Sequence, residues 1–206
     1  MIIPVDANMA ELTGILLGDG SISIYPSERF STYYRCKVTL DSREGQYISH
    51  VSSLMETALG SRPKLRLKKN EHTAELLLFE KRIVLALTDF GFVPSPKWGR
   101  ARIPAPFNNT QFGRHVLRGY FDTDGCVVRA NNNGTLYPRL EMKISPGPFQ
   151  NDLIDRLAEL GFRFGVYAIG DGKVRVQLNG ERSLQQWVDT IGFNNQRHLD
   201  KVPLFV

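Results

Sequence analysis

Apolar positions recur with a helical period in some stretches and alternate one-on, one-off in others, and the stretches follow a fixed order. Helical patterning covers the segment around Leu12–Gly20, then roughly Glu44 to Leu59 and Lys81 to Phe90. Strand alternation fills Ser21 to Tyr25, Tyr33 to Leu40, Lys64 to Lys68 and Thr73 to Phe79. Gly60 and Gly91 end the second and third helices. The order then starts again. A helix is predicted near Phe112 to Thr123, strands near Val127 and over Leu136 to Ile144, and a helix over Phe149 to Leu160. Strands at Phe162 to Ala168 and Lys173 to Leu178 lead to a last helix at Ser183 to Ile191. The arrangement αββαββα, twice, predicts an α+β fold of two similar halves.

The repetition reaches single residues. Leu12-Thr13-Gly14-Ile15-Leu16-Leu17-Gly18-Asp19-Gly20 returns, altered, as Leu117-Arg118-Gly119-Tyr120-Phe121-Asp122-Thr123-Asp124-Gly125. Leu59-Gly60 is echoed by Leu160-Gly161, Phe90-Gly91-Phe92 by Ile191-Gly192-Phe193, and Ile103-Pro104 by Val202-Pro203. The offset drifts from 105 to 101 to 99, as changes in loop length would make it. Such a repeat predicts two halves about a pseudo-twofold axis, residues 1–93 and 109–206. Between them, 94–108 holds four prolines and reads as an extended linker.

Alternation assigns the strand faces. Tyr33, Arg35, Lys37 and Thr39 share one face against Tyr34, Cys36, Val38 and Leu40. Lys64, Arg66 and Lys68 oppose Leu65 and Leu67. Arg139, Glu141, Lys143 and Ser145 alternate with Leu140, Met142 and Ile144, and Lys173, Arg175, Gln177 and Asn179 with Val174, Val176 and Leu178. An antiparallel sheet commonly wets one face, yet ordinary wet faces mix charge signs. Four symmetrically placed strands dominated by Arg, Lys, Gln, Tyr and Thr instead fit the DNA major groove, where Arg and Lys read guanine and Gln and Asn read adenine.

Composition agrees without deciding. The 206 residues carry a net charge of +5, which suits a polyanionic partner. Hydrophobic content of 42% supports a real core. Two cysteines form neither a disulfide framework nor a zinc site and fit a reducing compartment. No signal peptide or membrane-length apolar run is evident, so an intracellular protein of cytoplasm or nucleoid, or of an organelle that encodes it, is expected.

The chemistry points to the ends of the repeated segments. Gly14 and Gly18 lie one helical turn apart, as do Gly119 and Thr123, and small residues at that spacing let two helices approach closely. Asp19 and Asp124 then end adjacent helices, where the dipole disfavours a carboxylate. Two converging carboxylates recruit a cation. A hard divalent ion held by carboxylate, backbone carbonyl and water suits Mg2+, with Mn2+ as a substitute, and such metals serve phosphodiester cleavage. Asp122-Thr123-Asp124-Gly125 also imitates the opening of a calcium loop, but Val127 stands where its glycine belongs and Asn133 where its closing acid belongs, which rejects that reading. His50, His72, His115 and His198 lack metal-ligand spacing and are expected at the surface or against DNA.

These two motifs resemble those of the LAGLIDADG homing endonucleases, specifically the single-chain, two-motif members. Leu12, Gly14, Asp19 and Gly20 match in the first copy, and Leu117, Gly119, Asp122, Asp124 and Gly125 in the second. Leu17 and Gly18 depart from the name sequence at packing positions. The resemblance implies a monomeric nuclease with a saddle of antiparallel sheets that cuts both strands of a long, asymmetric DNA site with divalent metal. It implies metal at Asp19 and Asp124, aided by the carbonyls of Gly18 and Thr123. By position it puts Asp41 and Ser145 near the attacking water, though the family usually has glutamine or asparagine there. It sets Lys81 and Arg182 against the scissile phosphate. An intron-RNA maturase on the same fold is the competing expectation, with host intron RNA as partner. A regulator would be expected to lose the acids and gain a further domain, for which a chain running from Met1 to Val206 leaves no room.

Overall fold

A computed structural model describes residues 2–204 except 27, 29–31 and 70, with backbone alone for 132 and 204. The first half runs α1 (Ala7–Leu17), β1 (Gly20–Tyr25), β2 (Tyr33–Asp41), α2 (Gly45–Leu59), β3 (Lys64–Leu67), β4 (Thr73–Leu78) and α3 (Lys81–Phe90). The second runs α4 (Thr110–Asp124), β5 (Gly125–Asn132), β6 (Thr135–Ile144), α5 (Pro148–Glu159), β7 (Gly165–Ala168), β8 (Val174–Asn179), α6 (Glu181–Thr190) and a short α7 (Gln196–Leu199). Each half holds one antiparallel sheet, in the orders β1-β2-β4-β3 and β5-β6-β8-β7. This is the expected α+β class. The αββαββα order is extended by α7 and by 3-10 turns at Ala105–Phe107 and Val202–Leu204.

Helix α1 starts where the Asp6 side chain accepts the Met9 N–H at 2.8 Å, and α4 starts with Asn109 accepting the Phe112 N–H at 3.0 Å. The two helices pack against each other through their glycines. A Cβ on Gly14 would lie 2.0 Å from the Val116 carbonyl oxygen, and one on Gly119 would lie 2.1 Å from that of Glu11. Neither position accepts a side chain, so backbone meets backbone. Residues Met9 to Leu17 are all buried, which makes α1 a central helix rather than an amphipathic surface one. Its Leu12, Ile15 and Leu16 join Leu117 and Phe121 of α4 in one core that spans both halves.

Segment 94–108 is not the extended spacer its prolines predict. Residues 97–101 form a tight turn, with the N–H groups of Arg100 and Ala101 donating to the Lys97 carbonyl at 3.2 and 2.9 Å. Asp152 of α5 accepts the Ile103 N–H at 2.8 Å and the Asn108 amide at 3.2 Å, and Phe107 is fully buried. Proline excludes the interior of a helix but not a turn, and distant partners supplied the rest. Leu65 and Leu67, expected on a covered face, are 54% and 61% exposed because β3 is the sheet edge. Lys68 and Lys173 lie just outside β3 and β8.

Candidate functional site

The two motif helices end side by side. A Cβ on Gly18 would stand 2.2 Å from Thr123 Oγ1 and 3.0 Å from Asp124 Oδ2, so the second motif's carboxylate lies directly over the end of the first helix. Burial, and then the Asp124 charge, push the Asp19 carboxyl up to about 6 against the pull of Lys97 and Arg197. Burial also raises Asp124, opposed by Lys97, Arg197 and Lys173. Asp19 is half-buried and Asp124 keeps an exposed surface, so this like-charge pair is crowded yet open to a cation from solvent.

Two basic residues that the sequence reading passed over sit at this junction. Lys97 Nζ donates to the carbonyls of Leu16, Gly18 and Gly20 at 2.8, 2.6 and 2.8 Å, closing the end of α1. Arg197 does the same for α4, its Nη2 donating to the carbonyls of Asp122 and Thr123 at 2.9 and 2.6 Å. Cations at helix C-termini complement the dipole. Burial lowers Lys97 to about 8 although both aspartates oppose the shift. The signal for this pair was the repeat itself: Lys97 and Arg197 fall 100 positions apart, between echoes offset by 101 and 99. The carbonyls of Gly18 and Thr123 therefore already accept from these cations and offer a metal only their remaining lone pairs.

The residues present fit a divalent ion that DNA would complete. Asp19, half-buried, and Asp124, exposed, are two crowded acids whose carboxyls are both raised. Among the described residues, no three His, Cys, Asp or Glu side chains gather into a metal cage. Mg2+ commonly binds in this way, through one or two carboxylates with substrate phosphate and water.

The other expected site residues are scattered. Ser145 lines a cavity beside Asp124 together with Lys97, Lys143 and Lys173. Asp41 is held instead by Arg43, whose hydrogen bonds keep its carboxyl low at about 2. The neighbours seen for Lys81 and Arg182 are other groups. Lys81 Nζ lies 5.6 Å from the Tyr34 ring, and Tyr34 belongs to the helix-covered face of β2. Arg182 lines a separate cavity with Arg163 and Gln186. The Arg182 cavity also takes in Tyr167 and Asn179 and is separate from the one lined by Asp124. His198, expected outside, is buried against Phe121 and Phe193, at ring distances of 5.0 and 5.4 Å. Burial lowers it to about 3.

Above the site, Arg35, Lys37 and Thr39 of β2 share a sheet face with Lys64 and Arg66 of β3. Arg139, Glu141 and Lys143 of β6 share the second face with Arg175, Gln177 and Asn179 of β8. These faces are less purely basic than expected. Glu75, 2% exposed and absent from the sequence-based set, accepts from Lys37 at 3.1 Å and from Arg66 Nε at 2.7 Å. Glu141 holds Arg139 at 2.5 Å and Arg175 at 3.5 Å. Gly20 opposite Val38 and Gly125 opposite Met142 align the two sheets. In that alignment Lys37 matches Glu141 and Glu75 matches Arg175. The halves thus carry the same diagonal ion pair with opposite polarity.

Residues 112–192 match the family model described as LAGLIDADG-like domain. The match falls within the second half. Structural comparison extends the likeness to both halves. I-DmoI, a structure solved in complex with DNA and Mn, is 18% identical with a TM-score of 0.68, over 92% of this chain and 98% of that one. The LAGLIDADG meganuclease I-AabMI, solved bound to uncleaved DNA, is 12% identical with a TM-score of 0.64, over 92% and 86%. Full-length DUF199/WhiA from Thermatoga maritima is 14% identical with a TM-score of 0.60, and there the match spans 98% of this chain but 60% of the other. No curated protein matches the chain. It therefore has the two-domain LAGLIDADG fold and resembles the single-chain homing endonucleases, its motif helices being α1 and α4.

Proposed function

We propose that the chain is a metal-dependent homing endonuclease that makes double-strand breaks in a long, asymmetric duplex DNA site, acting as a monomer. The observation that carries this reading is the convergent Asp19–Asp124 pair, both carboxyls raised, at the junction of two cation-bearing sheets. A divalent ion at those carboxylates, Mg2+ or Mn2+, would activate water and neutralise charge developing on the scissile phosphate. The chain's own residues set the stage. Lys97 and Arg197 hold the helix ends that carry the acids, and their positive charge beside the centre favours a phosphate. The sheet cations bind the backbone to either side. Their unequal faces suit an asymmetric site.

The test is cleavage of plasmid libraries containing candidate sites, with Mg2+ and then with EDTA. Linear product is expected only with metal. Asp19→Asn and Asp124→Asn are each expected to abolish double-strand cleavage and leave DNA binding within about threefold, since both acids face the metal rather than the groove. Metal-dependent double-strand cleavage that survives either substitution would sink the proposal, and binding confined to structured RNA would favour the maturase.

A further inference from the structure

Trp98 is 76% exposed, whereas the second tryptophan, Trp187, is fully buried. The repeat shows that the fold does not impose this exposure. Trp98 follows Lys97 as His198 follows Arg197, and His198 is packed into the core against Phe121. The first-half counterpart of Phe121 is Leu16. In one half the ring after the basic residue is tucked in; in the other it stands in water.

The Trp98 backbone is firmly held. Arg100 Nη2 donates to the Pro94 carbonyl at 2.9 Å and its Nε to the Pro96 carbonyl at 3.2 Å, and the Ser95 N–H donates to Ile22 of β1 at 2.8 Å. A rigid turn that keeps a large apolar ring in solvent forgoes its hydrophobic stabilisation. Trp98 lines a cavity of about 310 Å³ whose walls include Asp124, Lys97, Lys143, Lys173 and Ser145. Lys97 is committed to the α1 carbonyls, which leaves an aromatic plate beside the exposed ammonium groups of Lys143 and Lys173, and that pairing matches a flat base attached to a phosphate.

We infer that this cavity receives a nucleobase unstacked from bound DNA, with Trp98 stacking on the base and Lys143 and Lys173 facing its phosphate. The inference rests on the reading of the chain as a DNA-binding nuclease and adds a one-sided contact to it, because the matching ring at the Asp19 side is His198, which is buried. Bending DNA over a protein opens base steps to such apolar wedges, and base–aromatic stacking tolerates any sequence.

The full chain is titrated in EDTA with a random-sequence duplex, either intact or with a few nucleotides of one strand removed at its centre. Dye anisotropy on the DNA reports binding, and tryptophan emission reports Trp98, because Trp187 is shielded throughout. Gapped duplex is expected to bind more tightly than intact duplex, to quench the emission and to protect it from acrylamide. Trp98→Ala should weaken gapped-duplex binding about 5- to 100-fold at unchanged melting temperature, with Trp98→Phe recovering most of it. Rising anisotropy with emission unchanged, or Trp98→Ala binding gapped duplex like the parent, overturns the inference and leaves DNA binding standing. No anisotropy change at low salt removes the DNA reading and this inference with it.

Discussion

Glu11 shows how a single side chain ties the halves together. It is 3% exposed in α1 and accepts from Arg118 of α4 (Nε at 3.1 Å), His50 of α2 (2.7 Å) and the Asn194 amide (2.7 Å). Burial alone would raise its carboxyl, but hydrogen bonds from His50 and Arg118 with the Arg118 charge outweigh it and hold the group at about 2. Glu11→Ala strips Arg118 of its carboxylate partner in a mostly buried site. It is expected to cost about 3–5 kcal/mol in urea unfolding. The folded carboxyl lies below its ordinary value of 4.5, so its contribution is present above that pH and disappears as pH falls through about 2. In Glu11→Gln that part of the acid transition should flatten, by about 3 kcal/mol over the window. Asp122 works the other way: burial raises it to about 7, although it accepts the Asn194 N–H at 2.8 Å. Neither environment could be read from the motif, because their partners lie on α2, α4 and the segment before α7.

At the scale of elements, periodicity located every helix of the two repeats and every strand, since an apolar stripe or an alternating face is a local property. Lys81 to Phe90 matches α3 at both ends. The short α7 and the turn at 97–101 escaped because their stability comes from distant partners, Lys97 bonding to the end of α1 and Arg197 to that of α4. The glycine contact between α1 and α4 permits a direct test. Gly14→Ala and Gly119→Ala would each press a methyl onto backbone of the opposite helix, and a loss of about 3 kcal/mol or more is expected in thermal or urea unfolding. Gly45→Ala, at the first position of α2 with nothing within 4 Å of the added Cβ, should be neutral or stabilise by up to about 1 kcal/mol. Equal effects at the three positions would contradict the close packing.

Over the whole molecule, two like halves present unlike surfaces. The reversed pairs Lys37–Glu75 and Glu141–Arg175 hold cations in different places on the two sheets. If these faces lie on DNA, affinity should fall steeply with salt, and Lys64→Ala should reduce the log–log slope by about one unit, because Lys64 is exposed and suited to a phosphate. Glu75→Gln should free Lys37 and Arg66. The expected result in competition binding is tighter association with random duplex and poorer discrimination of the cognate site. Tighter cognate binding with discrimination intact would show that Glu75 does not set specificity.

By itself the sequence determined the two-fold repeat, the α+β class and the pair of acids, since each is written in period, spacing or residue type along the chain. Only the tertiary structure decided which charges those acids meet. Lys97 and Arg197 reach the ends of α1 and α4 across roughly 75 to 80 residues of chain, whereas Lys81 and Arg182, equally well placed in the alignment, meet the Tyr34 ring and a separate cavity. The physical reason is that backbone pattern follows from neighbours in sequence, while electrostatic environment depends on which distant groups are brought within a few ångströms in a poorly screened interior.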